Sequence, residues 1–135
     1  MGYPAGVRHR LTVVGSLSAG TRLVTRLLNA SPDIEAIHDV THGARAGRWP
    51  VVFVTRDETA RQVSVAARWP EGHDRTAGIV PAVASVAYED VVADPTSVIC
   101  TLAAVLEVPE WTFPEAVYDA NSETGTRCGR LPSFS

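Results

Sequence analysis

Residues 15 to 22 read Gly-Ser-Leu-Ser-Ala-Gly-Thr-Arg, and no other stretch restricts the fold as strongly. An apolar run, Leu11-Thr12-Val13-Val14, comes before it, and leucines and valines at helical spacing come after it. A strand, a loop with two glycines five apart and a helix together make a cradle for an anion. Glycine lets the backbone turn tightly and approach the charge closely. The helix N-terminus then aims its N–H groups and the positive end of its dipole at that charge. An NTPase loop of this kind places Lys after the second glycine. Here Thr21 stands in that place with Arg22 behind it, and the chain has no Lys anywhere.

The rest of the chain alternates strand and helix patterns. Residues 10–14 read as a buried strand. Residues 21–30 read as a helix with Leu23, Val24, Leu27 and Leu28 on one face, stopped by Asn29-Ala30-Ser31-Pro32-Asp33. Residues 34–37 make a short strand, and residues 41–49 a polar loop. Residues 51–55, Val-Val-Phe-Val-Thr, are the clearest strand, apolar and β-branched. Asp57 or Thr59 caps a helix running to about residue 69. Residues 83–88 form a further strand. Asp94 as N-cap and Pro95 as first helical residue start the last helix. Its expected inner face carries Val98, Ile99, Leu102, Val105 and Leu106, with Cys100 in the core and Pro109 ending it. Such alternation predicts an α/β fold, a parallel sheet with helices on both faces. Ligands of these sheets sit beyond the carboxyl ends of the strands. The glycine loop, Arg56 and Tyr88 all fall on that edge.

Composition narrows the function classes. The 135 residues suit a single domain over 1–135, with residues 121–135 as a flexible tail. A hydrophobic content of 45% supplies a core, and a charged content of 20% argues against disorder. A net charge of −3 gives no reason to expect nucleic acid or an acidic membrane as partner. Residues 1–10 lack the apolar centre of a signal peptide, and no apolar run is long enough to span a bilayer. Cys100 and Cys128 form neither a disulfide framework nor a zinc spacing. A cytoplasmic protein without a metal is the expectation.

Arg56 ends a strand, and Ser64 follows eight residues later, two turns into the next helix. A guanidinium and a hydroxyl converging in this way can bind a second phosphate. In chain order the motifs are Gly-x4-Gly-Thr, Ala-Ser-Pro-Asp-Ile, Val-Val-Phe-Val-Thr-Arg-Asp with Ser64 downstream, and Ala-Tyr-Glu-Asp-Val-Val-Ala-Asp-Pro. This ordered set, spanning residues 11–108, resembles the sulfotransferase family. Those enzymes move a sulfuryl group from 3′-phosphoadenosine 5′-phosphosulfate (PAPS) to a hydroxyl or amine.

The resemblance implies a three-layer α/β/α fold like that of P-loop NTPases, with a small parallel sheet. It implies that Ser16, Leu17, Ser18, Ala19, Gly20, Thr21 and Arg22 hold the 5′-phosphosulfate. Arg56 and Ser64 would bind the 3′-phosphate, and Tyr88 would lie near the adenine. Arg127, in Arg127-Cys128-Gly129, is similar to an element that closes over the 3′-phosphate. For the base, the resemblance offers His38, which follows Ser31-Pro32-Asp33-Ile34 at the place of a catalytic Glu, and secondly His42 in Thr41-His42-Gly43. Either imidazole can take a proton from the acceptor. The product nucleotide would be 3′-phosphoadenosine 5′-phosphate (PAP), and the acceptor a small molecule or peptide.

Two departures from the family pattern stand out. Ser18 occupies the position of a basic residue that neutralises charge on the leaving phosphate, a role that falls to Arg22 or to another Arg folding in. About a dozen residues separate His38 from the strand at 51–55, where the family has a longer substrate-binding insertion. The acceptor pocket is then small, open, or completed by another subunit of a homo-oligomer. Two other functions fit the same sequence: a nucleotide-binding module that does not catalyse, and a small ATP-dependent kinase.

Overall fold

The computed structural model describes residues 9–39, 49–72, 74, 76 and 81–113. Strand β1 (His9–Val14) leads through the glycine loop into helix α1 (Thr21–Asn29), and β2 (Ile34–Asp39) follows. Then come β3 (Val51–Thr55), α2 (Glu58–Arg68), β4 (Ala84–Ala87), α3 (Tyr88–Ala93) and α4 (Pro95–Leu106). The four strands form one parallel sheet in the order β2-β1-β3-β4. The chain is therefore an α/β protein, as its alternating pattern predicts.

One face of the sheet carries the core. Leu11 and Val13 of β1, Ile34 and Ala36 of β2, Val52 and Val54 of β3 and Val86 of β4 pack in one cluster with Leu23, Val24, Leu27 and Leu28 of α1. Val91 and Val92 of α3, and Ile99, Leu102, Ala103 and Leu106 of α4, complete it. Each fully buried Leu there contributes about 2 kcal/mol. Val14 and Val51, with Phe53 against them, line the opposite face. Thr12 lies on that face too, fully buried.

Local signals set the ends of the elements. Ser31 is 1% exposed, and its hydroxyl accepts a hydrogen bond from the Asp33 N–H at 3.0 Å, closing the turn after α1. Asn29 then reaches across to the edge of β2. Its Nδ2 donates to the Ala36 carbonyl at 2.9 Å, and its Oδ1 accepts from the Ala36 N–H at 2.7 Å. Asp57 caps α2, accepting from the Ala60 N–H at 2.9 Å. Asp94 caps α4, accepting from the Ser97 N–H at 3.2 Å, with Pro95 in the first turn. Trp111 donates from Nε1 to the Leu27 carbonyl at 2.8 Å and so ties the chain beyond α4 to the end of α1.

Four details differ from the sequence expectation. The strand expected over residues 83–88 stops at Ala87, and Tyr88 opens a helix. Glu89 and Asp90 in the first turn complement the positive end of that helix and favour it over a longer strand. Val105 is 48% exposed, and Cys100 is exposed rather than core. Each helical residue turns by 100°, so the stripe formed by Ile99, Leu102, Ala103 and Leu106 leaves both of them off the sheet. Finally, α4 ends before Pro109, because Glu107 adopts φ 59° and the Val108 N–H bonds the Ala103 carbonyl at 3.1 Å.

Candidate functional site

The loop after β1 has a defined shape. Gly15 is wedged: a Cβ there would lie 2.9 Å from both Thr21 Cγ2 and the Val54 carbonyl oxygen. The Ala19 N–H bonds the Ser16 carbonyl at 2.9 Å, which makes a tight turn. Ser18 takes the left-handed conformation at φ 62°, and Gly20 sits at φ 103° as the N-cap of α1. A serine in that region costs about 1 kcal/mol, so neighbouring contacts must hold it there. Among the described residues, no side chain caps α1 and its first turn has no acidic residue. Its leading N–H groups and dipole face the loop with no capping side chain and no first-turn carboxylate among the described residues.

Three predicted ligand residues converge on this loop. Arg56 donates from Nη1 to the Ser18 carbonyl at 2.9 Å. The Ser64 hydroxyl donates to the Ser18 hydroxyl at 3.3 Å. The Arg56 guanidinium also lies 4.3 Å from the centre of the Tyr88 ring, a cation–π contact. Tyr88, 8% exposed, covers Gly20 closely enough that a Cβ there would fall 2.5 Å from its Cδ1. The residue after strand β3, helix α2 and helix α3 thus each send one side chain to a single turn of backbone. Glu89 fastens two of these elements, its Oε2 accepting from the Asp57 N–H at 2.8 Å.

Sequence reasoning missed a fourth residue. Arg61 is 2% exposed and donates from Nη1 to the Leu17 carbonyl at 2.9 Å. The same guanidinium pairs with Glu58 and Asp74, the shortest contacts being 2.7 and 2.9 Å. These pairs hold Arg61 more firmly protonated than usual. The Arg61 hydrogen bond, with a smaller part from Gln62, lowers the Glu58 carboxyl to about 2. The i, i+3 spacing of Glu58 and Arg61 was the signal in the sequence, but it reads equally well as an exposed helical pair. Further along α2, burial and then the charge of Arg22 pull Arg68 below the usual arginine value. It stays protonated, so the loop's surroundings carry several cations.

His38 lies exposed on β2, in register with Val13 one residue before the end of β1. That places it at the carboxyl edge, beside the strand that feeds the loop. Arg22 is exposed on the first turn of α1, and Thr21 is buried beneath the loop. His42 and Arg127 lie outside the described residues.

The geometry defines a class, an α/β protein whose glycine loop is braced at the carboxyl edge of a parallel sheet. No protein-family model and no curated protein matches the chain. Among the described residues, no three His, Cys, Asp or Glu side chains gather as metal ligands. No described helix is long and apolar enough to cross a membrane.

Proposed function

We propose that the chain is a PAPS-dependent sulfotransferase, acting on a hydroxyl or amine of a small molecule or peptide. The observation that carries this reading is the convergence of Arg56 and Ser64 on Ser18. A cation and a hydroxyl beside a glycine loop are the donor set for a ligand with two anionic ends. The α1 N-terminus suits one end, and the Arg56–Ser64 pair suits the other. The same reading takes the fold as three-layered and P-loop-like. The β1-to-β2 and β3-to-β4 crossovers run in opposite directions, and right-handed connections then put α1 and α2 on opposite faces.

PAPS supplies the sulfuryl group that is transferred. The N–H groups at the start of α1 bind its 5′ end and stabilise charge that builds on the departing phosphate. Thr21 and Arg22 add a hydroxyl and a positive charge. Arg56 and Ser64 bind the 3′-phosphate, while Tyr88 orients the Arg56 guanidinium by stacking. His38, at the carboxyl edge, takes the proton of the acceptor as its oxygen or nitrogen attacks sulfur.

Isothermal titration with PAP tests this reading. Saturable binding to the folded chain is expected, together with sulfation of an acceptor that is lost in His38→Ala. No binding at millimolar PAP would refute it, and stronger stabilisation by Mg-ATP than by PAP would favour a kinase. Ser18 motivates a second reading, a module that binds the bisphosphate without transferring from it. Arg61 lies next to the loop, but its N–H groups are all engaged within the protein, so it cannot supply the charge absent at Ser18. Tight PAP binding with no transfer to any acceptor is the outcome that reading expects.

A further inference from the structure

We propose that Arg61 is the residue that sets the phosphate loop's shape, orienting the Ser18 N–H for the 5′ end of the nucleotide. The inference rests on the nucleotide reading for the identity of the ligand, but its structural content is independent of it.

Every donor of this guanidinium is engaged. Nε donates to Glu58 Oε1 at 2.9 Å, and Nη2 to Glu58 Oε2 at 2.7 Å. Nη1 donates to Asp74 Oδ1 at 2.9 Å, and Nη2 to Asp74 Oδ2 at 3.1 Å. The remaining Nη1 hydrogen goes to the Leu17 carbonyl at 2.9 Å. An arginine has five N–H donors, so none is left for a ligand. Its charge is also matched twice over, by carboxylates whose side chains are 61% and 39% exposed. Arg61 is therefore not an anion ligand. Its one link to the candidate site is a main-chain carbonyl.

That link has a geometric consequence. Across a trans peptide the C=O and the following N–H point in opposite directions. Holding the Leu17 carbonyl against α2 turns the Ser18 N–H away from α2. The next peptide is held in the same manner by Arg56, through the Ser18 carbonyl. Two guanidiniums, one just beyond β3 and one from α2, thus fix two successive peptide planes on either side of Ser18, the residue at φ 62°. Arg56 remains within reach of a ligand phosphate. Arg61, sealed by its two carboxylates, keeps its hold whether or not ligand is present. It acts through the loop and so is a positioning residue.

The test uses Arg61→Met in the full chain, with two readouts. Amide exchange of Ala19, whose N–H bonds the Ser16 carbonyl, is expected to rise at least about tenfold without ligand, while α4 amides stay as in the wild type. Affinity for PAP is expected to fall about tenfold, while affinity for adenosine 3′-phosphate, which lacks the 5′ group, stays within about twofold. Unchanged loop exchange, or equal losses for both nucleotides, would overturn the proposal. Should Arg61→Met not fold, Arg61→Lys carries the same expectations, because one ammonium cannot span Glu58 and the Leu17 carbonyl together. Asp74→Asn keeps the Leu17 bond and is expected to bind PAP within about twofold of wild type; a tenfold loss would show that the ion pair is what matters. If the wild-type chain binds no PAP, the nucleotide reading fails, and loop exchange alone decides the role of Arg61.

Discussion

Gly20→Ala tests the tightest contact in the site. Two costs are separable. The first is backbone: at φ 103° a Cβ is strained, at about 1–2 kcal/mol. The second is contact: the new methyl would sit 2.5 Å from Tyr88 Cδ1, about 1 Å inside normal carbon contact. The ring is buried and stacked by Arg56, so its displacement adds about 1–3 kcal/mol. The sum, roughly 2–5 kcal/mol, corresponds to a drop in Tm of roughly 6–20 °C for a chain of this size. A double-mutant cycle with Tyr88→Ala, read by urea denaturation, separates the terms. With the ring gone, only the backbone cost remains, and the coupling equals the contact term. Equal costs of Gly20→Ala in both backgrounds would refute the placement of Tyr88 over the loop.

Other residues give sharper signs than magnitudes. Thr12 Oγ1 is buried with no hydrogen-bond partner among the described residues, so Thr12→Val is expected to stabilise by about 1 kcal/mol in urea denaturation. A loss instead would mean that the hydroxyl is bonded. Glu58 titrates at about 2 in the folded chain against an ordinary 4.5. A depressed carboxyl adds stability above its unfolded value and loses it as pH falls through the folded one. The urea midpoint of wild type should therefore fall towards that of Glu58→Gln between about pH 4.5 and 2, and a constant gap would be contrary. The exposed Cys100 thiol is pushed up by its hydrogen bond to Glu110. It should alkylate more slowly at pH 8 than a free peptide cysteine, and faster in Glu110→Gln.

The parts legible in the sequence were those governed by neighbours along the chain. The apolar run at β1, the glycines and the α1 stripe together specified the strand-loop-helix unit. Asp94 marked one helix start, and of the two candidates Asp57 and Thr59 the first caps the other. What escaped was decided by partners far away in sequence. Ser18 is no obvious choice for a left-handed residue, and Arg56 and Ser64, 38 and 46 residues downstream, both bind it. Nothing beside Arg61 in the sequence marks it as buried, and its burial depends on Leu17 and Asp74. Tyr88 combined β propensity with an acidic helix start, and the second effect prevailed. That Arg56, Ser64 and Tyr88 fall at the loop's edge of the sheet was thus readable, while the bracing that shapes the loop was not.

Asn29 matters for folding order as well as for the strand end. Its amide reads both polar groups of Ala36, and along a strand these groups point alternately to one side and the other. A one-residue slip of β2 that kept its ladder with β1 would bring Glu35 or Ile37 to the place of Ala36, which packs in the core. It would also swap the buried and exposed faces of the strand. Helix α1 can therefore dock fully only when β2 is in the native register beside β1. The two strands and their helix should gain structure as one cooperative step, and the loop that begins α1 takes its final form within that step.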